Sequence, residues 1–178
     1  MEDLSSYSSL ARTATEAEFV AQSNPLFLVK RPKFRPSQAR APMAISFETQ
    51  HTKLEVDPYA TEWRVAQVRK REGNPYPDRF SIGRAPNCDV VIRLPSVSKV
   101  HAHILVNGPQ SYAVRDNQAS NSTFVNGRKL ETKGTAQLHI GDELAFGSLE
   151  LEFVDAARFY QILRTEVALS QSHGPLAR

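Results

Sequence analysis

From Trp63 onward the chain is written in short β-branched and aromatic runs, each closed by turn residues, and that rhythm leaves few folds open. Trp63 to Val68 alternates, and Phe80-Ser81-Ile82, Asp89 to Ile92, Ala102 to Val106, Tyr112-Ala113-Val114 and Thr123-Phe124-Val125 follow. Gln137 to Ile140, Glu143 to Phe146 and Leu149 to Val154 complete the series. Many short strands at close spacing predict an all-β, antiparallel sandwich. Asn126-Gly127 is a hairpin signal because a tight two-residue turn needs positive φ at both positions. Gly141-Asp142 and Gly147-Ser148 punctuate the last strands. After Asp155, a candidate N-cap, Phe159, Ile162, Leu163 and Val167 recur at helical spacing, which predicts a C-terminal helix with a frayed tail from Ser170.

Residues 1–60 differ in texture. Pro25, Pro32, Pro36, Pro42 and Pro58 interrupt any long element there, so this part reads as an N-terminal extension and linker. Within it Thr15-Glu16-Ala17-Glu18 before Phe19-Val20 is a capping-box pattern that predicts a short helix near 15–22. Lys30, Arg31, Lys33, Arg35 and Arg40 form a basic segment, read as a solvated linker or a dock for an acidic partner. The expected organisation is an extension over 1–60, a sandwich over 61–155 and a helix with tail over 156–178.

Polar residues fall at the ends of these strands in a chemically coherent order. Gly83-Arg84 comes first, then Ser98-Lys99-Val100-His101, then Ser120-Asn121-Ser122-Thr123, then Asn126-Gly127. Arginine offers a planar fork of donors to phosphate oxygens, a serine hydroxyl adds a further donor, and an asparagine amide both donates to and accepts from an extended peptide. On these residues the stretch from about Trp63 to Asp155 resembles a forkhead-associated (FHA) domain, a phosphothreonine-binding β-sandwich module. The resemblance implies phosphate contacts from Arg84 and Ser98, charge or a backbone contact from Lys99, and peptide contacts from Ser120 and Asn121. It also implies that His101 braces the binding loops, with Gly83, Asn126 and Gly127 shaping the turns. One position departs from the family's pattern: Ser122 stands where glycine is usual, and a positive φ there costs about 1 kcal/mol or more.

Other chemistries find little support. The 178 residues can bury one good core, and a formal charge of +3 is no dense basic stripe, so nucleic acid is not demanded. Cys88 is the only cysteine, which excludes an internal disulfide and suits a reducing compartment. The Ser-rich, acidic start lacks the pattern of a signal peptide, and no run approaches about 18 apolar residues, so a cytoplasmic protein without a membrane span is expected. Asn121-Ser122-Thr123 is formally a glycosylation acceptor, a reading that needs secretion. His101, His103, Cys88 and His139 have no structural zinc spacing, so no metal or other cofactor is expected. No nucleotide-binding glycine loop or nucleophile elbow occurs, and the pairs Glu16/Glu18 and Asp142/Glu143 sit where capping and solvation explain them.

The expected function is therefore non-enzymatic: binding phosphothreonine segments of a partner downstream of a Ser/Thr kinase. The preference for threonine would come from a niche for the γ-methyl, worth about 0.8 kcal/mol if buried. The alternatives are a phosphate-independent scaffold of the same fold and a nucleic-acid-associated regulator using the basic linker.

Overall fold

The computed structural model describes residues 1–32 and 61–172, the side chains of 169–172 excepted. Lys33, Arg35, Arg40, Pro36, Pro42 and Pro58 of the expected linker, and the end of the expected tail, lie outside the described residues. Two sheets face each other. The first contains, in spatial order, β1 (Glu2–Asp3), β3 (Arg64–Gln67), β2 (Leu26–Lys30), β12 (Leu149–Asp155), β11 (Glu143–Phe146), β8 (Thr123–Val125) and β9 (Arg128–Lys129). The second contains β10 (Thr135–Leu138), β7 (Ser111–Asp116), β6 (Ala102–Gly108), β4 (Arg79–Gly83) and β5 (Val90–Val91). All pairings are antiparallel except β4 with β5. The fold is the expected sandwich. Its core contains Leu28, Ile82, Ile104, Val114, Phe146, Leu151 and Phe153, supplied by alternate positions on the facing strands.

The N-terminal segment departs from expectation. Leu26–Lys30 is no linker but a central strand, paired with β12 on one side and β3 on the other. All five of its residues are buried, and the two faces go to different cores. Leu26 and Leu28 enter the sandwich, while Phe27 and Val29 join a second apolar cluster on the opposite face of the same sheet. That second cluster is roofed by three helices, α1 (Ser5–Thr13), α2 (Glu16–Gln22) and α3 (Ala156–Ser172). Phe19, Phe27 and Phe159 meet there, with Phe27 and Phe159 rings 4.4 Å apart. Each fully buried phenylalanine contributes about 1.5–3 kcal/mol of transfer free energy, so the helices are held by this face rather than by their short length.

Local signals explain the helix ends. The Thr15 hydroxyl accepts from the Glu18 amide at 3.3 Å and the Glu18 carboxylate accepts from the Thr15 amide at 2.7 Å, a complete capping box. The Asp155 carboxylate accepts from the Arg158 amide at 2.8 Å and caps α3 as expected. Lys30 and Arg31 are tied into the domain: Lys30 donates to the Glu62 carbonyl and Arg31 pairs with Glu152 at 2.8 Å.

Candidate functional site

Three loops converge at one end of the sandwich: the one leaving β4, the one entering β6, and the one joining β7 to β8. Gly83 ends β4 under a tight constraint, because a Cβ there would lie 2.2 Å from the Lys99 carbonyl oxygen. That close approach lets the next two residues zip onto the second loop, the Arg84 amide donating to the Ser98 carbonyl and the Ala85 amide to the Lys99 carbonyl, both at 2.9 Å. The Arg84 side chain is exposed, with Nε donating to the Val97 carbonyl at 3.2 Å. This single bond aims the guanidinium while leaving its terminal nitrogens available.

The third loop is fastened by Ser98 itself, whose hydroxyl oxygen accepts from the Ser120 amide at 3.1 Å. Since the oxygen is the acceptor, the hydroxyl hydrogen stays free to donate outward. Asn121 is exposed and its Nδ2 donates to the Ser96 carbonyl at 2.9 Å. One amide hydrogen is thus spent on the loop, and the second, with the Oδ1 acceptor, remains for a ligand. Ser120 and Lys99 are also exposed. The structure thus brings Arg84, Ser98, Lys99, Ser120 and Asn121 onto one loop cluster.

His101 sits fully buried beneath these loops. Its Nδ1 accepts from the Ser98 amide at 3.1 Å, so that nitrogen carries no proton, and its Nε2 donates to the Ser122 carbonyl at 3.0 Å. Both ring nitrogens are committed, which leaves none for a metal, and the ring packs edge-on against Phe146. Burial pushes the imidazole pKa down, partly opposed by the Ser122 bond and the Asp116 charge. Among the described residues no group of three His, Cys, Asp or Glu side chains could hold a metal ion. Cys88 is buried near the loop base, donating weakly to the Lys99 carbonyl, and burial raises its thiol pKa.

Ser122 has φ 60°, the left-handed region that its departure from glycine put in question. Asn126 (φ 49°) and Gly127 (φ 75°) make the β8–β9 turn away from the loop cluster. Asn126 braces that turn, donating to Asp142 at 2.9 Å and accepting from the Glu143 amide at 2.8 Å.

Residues that sequence reasoning passed over also build the site. Buried Asp116 accepts from the Thr123 hydroxyl at 2.8 Å and from the Ala119 amide at 3.3 Å, spanning the third loop from below. Arg93, Pro95 and Pro86 line a depression with Arg84, adding a second exposed guanidinium beside the first. Arg93 follows directly on the run Asp89 to Ile92, and no motif marked it.

The stretch that carries these loops is similar to known proteins. The FHA domain family model matches residues 80–147. An ABC transporter ATP-binding/permease protein of Mycobacterium tuberculosis is 39% identical over 107 residues, covering 58% of this chain and 12% of that protein. An oxoglutarate dehydrogenase inhibitor of Corynebacterium jeikeium is 36% identical over 76 residues, 43% of this chain and 50% of that protein. The chain therefore spans about an eighth and a half of these two relatives. Among solved structures, the N-terminal FHA domain of a Saccharomyces cerevisiae protein in complex with a phosphothreonine peptide is 27% identical, covering 47% of this chain and 73% of that one, with a TM-score of 0.41.

Proposed function

We propose that the chain, whose residues 80–147 match the FHA domain family model, is a phosphothreonine-dependent protein-binding adaptor acting downstream of a Ser/Thr kinase. The observation that carries this is the locked convergence of Arg84, Ser98 and Asn121, each cross-bonded to a neighbouring loop while keeping donors unspent. Arg84 grips the phosphate, its terminal nitrogens matching two phosphate oxygens, and Ser98 donates its hydroxyl hydrogen to a third. Lys99 and Arg93 add positive potential, and Ser120 borders the peptide. Asn121 pairs with the peptide backbone through its remaining amide hydrogen and Oδ1. His101 touches no ligand in this scheme; it fixes the two loops that carry Ser98 and Asn121.

The chemistry asked of the site is recognition alone. The whole-protein activities of the relatives are not carried over, since this chain covers only 12% and 50% of those two proteins. The test is selection from an oriented phosphothreonine peptide library followed by calorimetry on the best sequence. Binding should require the phosphate, and Arg84→Ala should weaken it at least about tenfold with an unchanged melting curve. Phosphoserine in the same peptide should bind more weakly, as it lacks the γ-methyl. Equal affinity for phosphorylated and unmodified peptide would overturn the proposal.

A further inference from the structure

A polar cleft lies on the outer face of the five-stranded sheet, away from the loop cluster. Its volume is about 350 Å³, and it is lined by Arg71, Asn74, Tyr76, Ser81, Cys88 and His103. The register places Ser81 opposite His103 and His103 opposite Arg115, so these three side chains share one row across β4, β6 and β7. Like charges directly opposite across strands repel, and burial first, then Arg115, hold the His103 imidazole pKa below its ordinary value. Arg115, Arg79 and Lys70 all act on the imidazole as positive neighbours, against one carboxylate, Asp89.

That carboxylate is already spent. Asp89 accepts from the Arg71 amide, the Ser81 amide and hydroxyl, and Asn74, and it pairs with Lys70. Glu72, on the cleft rim, and Asp78, paired with Arg79 at 3.4 Å, are the other acidic groups at this face. The Arg115 guanidinium has no ion pair or hydrogen-bond partner among the described residues. His103 Nδ1 is shut from solvent without a hydrogen-bond partner, and Arg79 Nε is shut from solvent with only the long contact to Asp78. In addition, Tyr76 is 53% exposed and stacks on the Arg79 guanidinium 4.2 Å away. Tyrosine and arginine are enriched at protein interfaces, and here an exposed tyrosine lies in contact with an arginine beside a cleft.

We propose that this cleft and the adjoining Arg79 and Arg115 dock an acidic, extended segment of a partner protein, independently of the phosphate-binding loops. Its carboxylates would meet the Arg115 and Arg79 guanidiniums, and its backbone or an apolar side chain would lie against Tyr76. A protein segment fits better than nucleic acid because the cations here are few and confined, whereas a duplex gains its affinity from many phosphate contacts at once.

The experiment is a heteronuclear NMR titration of the full chain with capped hexaglutamate, with capped hexaglutamine as the uncharged control. Hexaglutamate should shift the resonances of Tyr76, Ser81, His103 and Arg115, and hexaglutamine should not. Arg115→Glu should weaken the response at least about fivefold, whereas Arg84→Ala and Lys129→Glu should leave it unchanged. If Arg115→Glu does not fold, Arg79→Gln is read instead, with the same expectation. Shifts confined to the loops around Arg84 and Lys99 or to the Arg128–Lys129 edge would overturn the proposal, as would a response indifferent to Arg115→Glu. A twelve-nucleotide single strand that shifts the same resonances at lower concentration than the peptide would also overturn it.

Discussion

His101 Nε2 lies 3.0 Å from the carbonyl oxygen of Ser122, and Ser122 is held at φ 60°. The bond couples a buried ring to a loop residue whose backbone an L-amino acid adopts at a cost, as it does at Gln118 (φ 58°) earlier in the same loop. It also sets the direction of the chain immediately after Asn121, so the geometry offered to a bound peptide depends on an interaction beneath the surface. The Gly147 amide reaches the same carbonyl at 3.4 Å, from the turn before β12.

Ser122→Gly should stabilise the protein by about 0.5–1 kcal/mol, since glycine adopts positive φ without steric penalty and the gain exceeds the added freedom of the unfolded chain. The β-branched Ser122→Val should instead cost more than 1 kcal/mol, roughly the scale of a misfit at such a position. Denaturant melts of the two variants decide it. A destabilised glycine variant would show that the serine side chain, not the backbone, sets the energy of this loop.

The same coupling predicts a pH dependence. His101 Nδ1 accepts a hydrogen bond, so protonation breaks the contact with the Ser98 amide. Burial lowers its pKa in the folded state, while the unfolded chain titrates near about 6.5. The unfolded state therefore binds the proton first as pH falls, and stability present above about pH 6.5 is lost from there down towards the folded pKa. His103, also lowered by burial first and by Arg115 next, adds a loss of the same sign. His101→Ala should cost about 1–3 kcal/mol at pH 7.5 and flatten the slope between pH 7 and 5.5, leaving the part due to His103. Parallel slopes in wild type and variant would rule out His101 as a source.

Much of this was legible in the sequence for local reasons. The strands from Phe80 to Val154 alternate or are closed by turn residues, Asn126-Gly127 encodes its own turn, and Thr15 with Glu18 encodes its own cap. Leu26–Lys30 was not legible, because a strand buried on both faces has no alternation, and Pro25 and Pro32 made it look like linker. Nor were the roles of Asp116 and Thr123, whose hydrogen bond spans a loop and leaves no spacing to read. Asn121 lies on a loop, and its side-chain amide donates to the Ser96 carbonyl, a bond across 25 residues that no spacing encodes.

Gly83→Ala probes the packing of the first two loops. The new methyl would stand 2.2 Å from the Lys99 carbonyl oxygen and 2.9 Å from the Val100 Cα, both backbone atoms that cannot swing aside. The loops must separate, losing the bonds of Arg84 and Ala85 to the second loop. The expected cost is about 3 kcal/mol or more, with phosphopeptide affinity falling alongside stability. A fully stable variant that still binds would mean that the two loops are not held by this approach.

The last prediction concerns the N-terminal strand. Leu28 is fully buried, faces the sandwich core from the middle of the seven-stranded sheet, and pairs with Phe153 on one side and Ala66 on the other. Leu28→Ala should cost about 2–5 kcal/mol, the range for truncating a core leucine whose surroundings cannot collapse. Removing residues 1–32 should do more, because it takes out a strand with two neighbours and two of the three helices that cover Val65, Val154 and Phe159. A chain starting at residue 61 should then lack a cooperative thermal transition and bind no phosphothreonine peptide, although every loop residue of the candidate site is present. Supplying residues 1–32 as a separate peptide should restore both the transition and the binding. A truncated chain that melts cooperatively and binds with full affinity would show instead that the sandwich closes without β2, and that the N-terminal segment is an addition to the module rather than part of it.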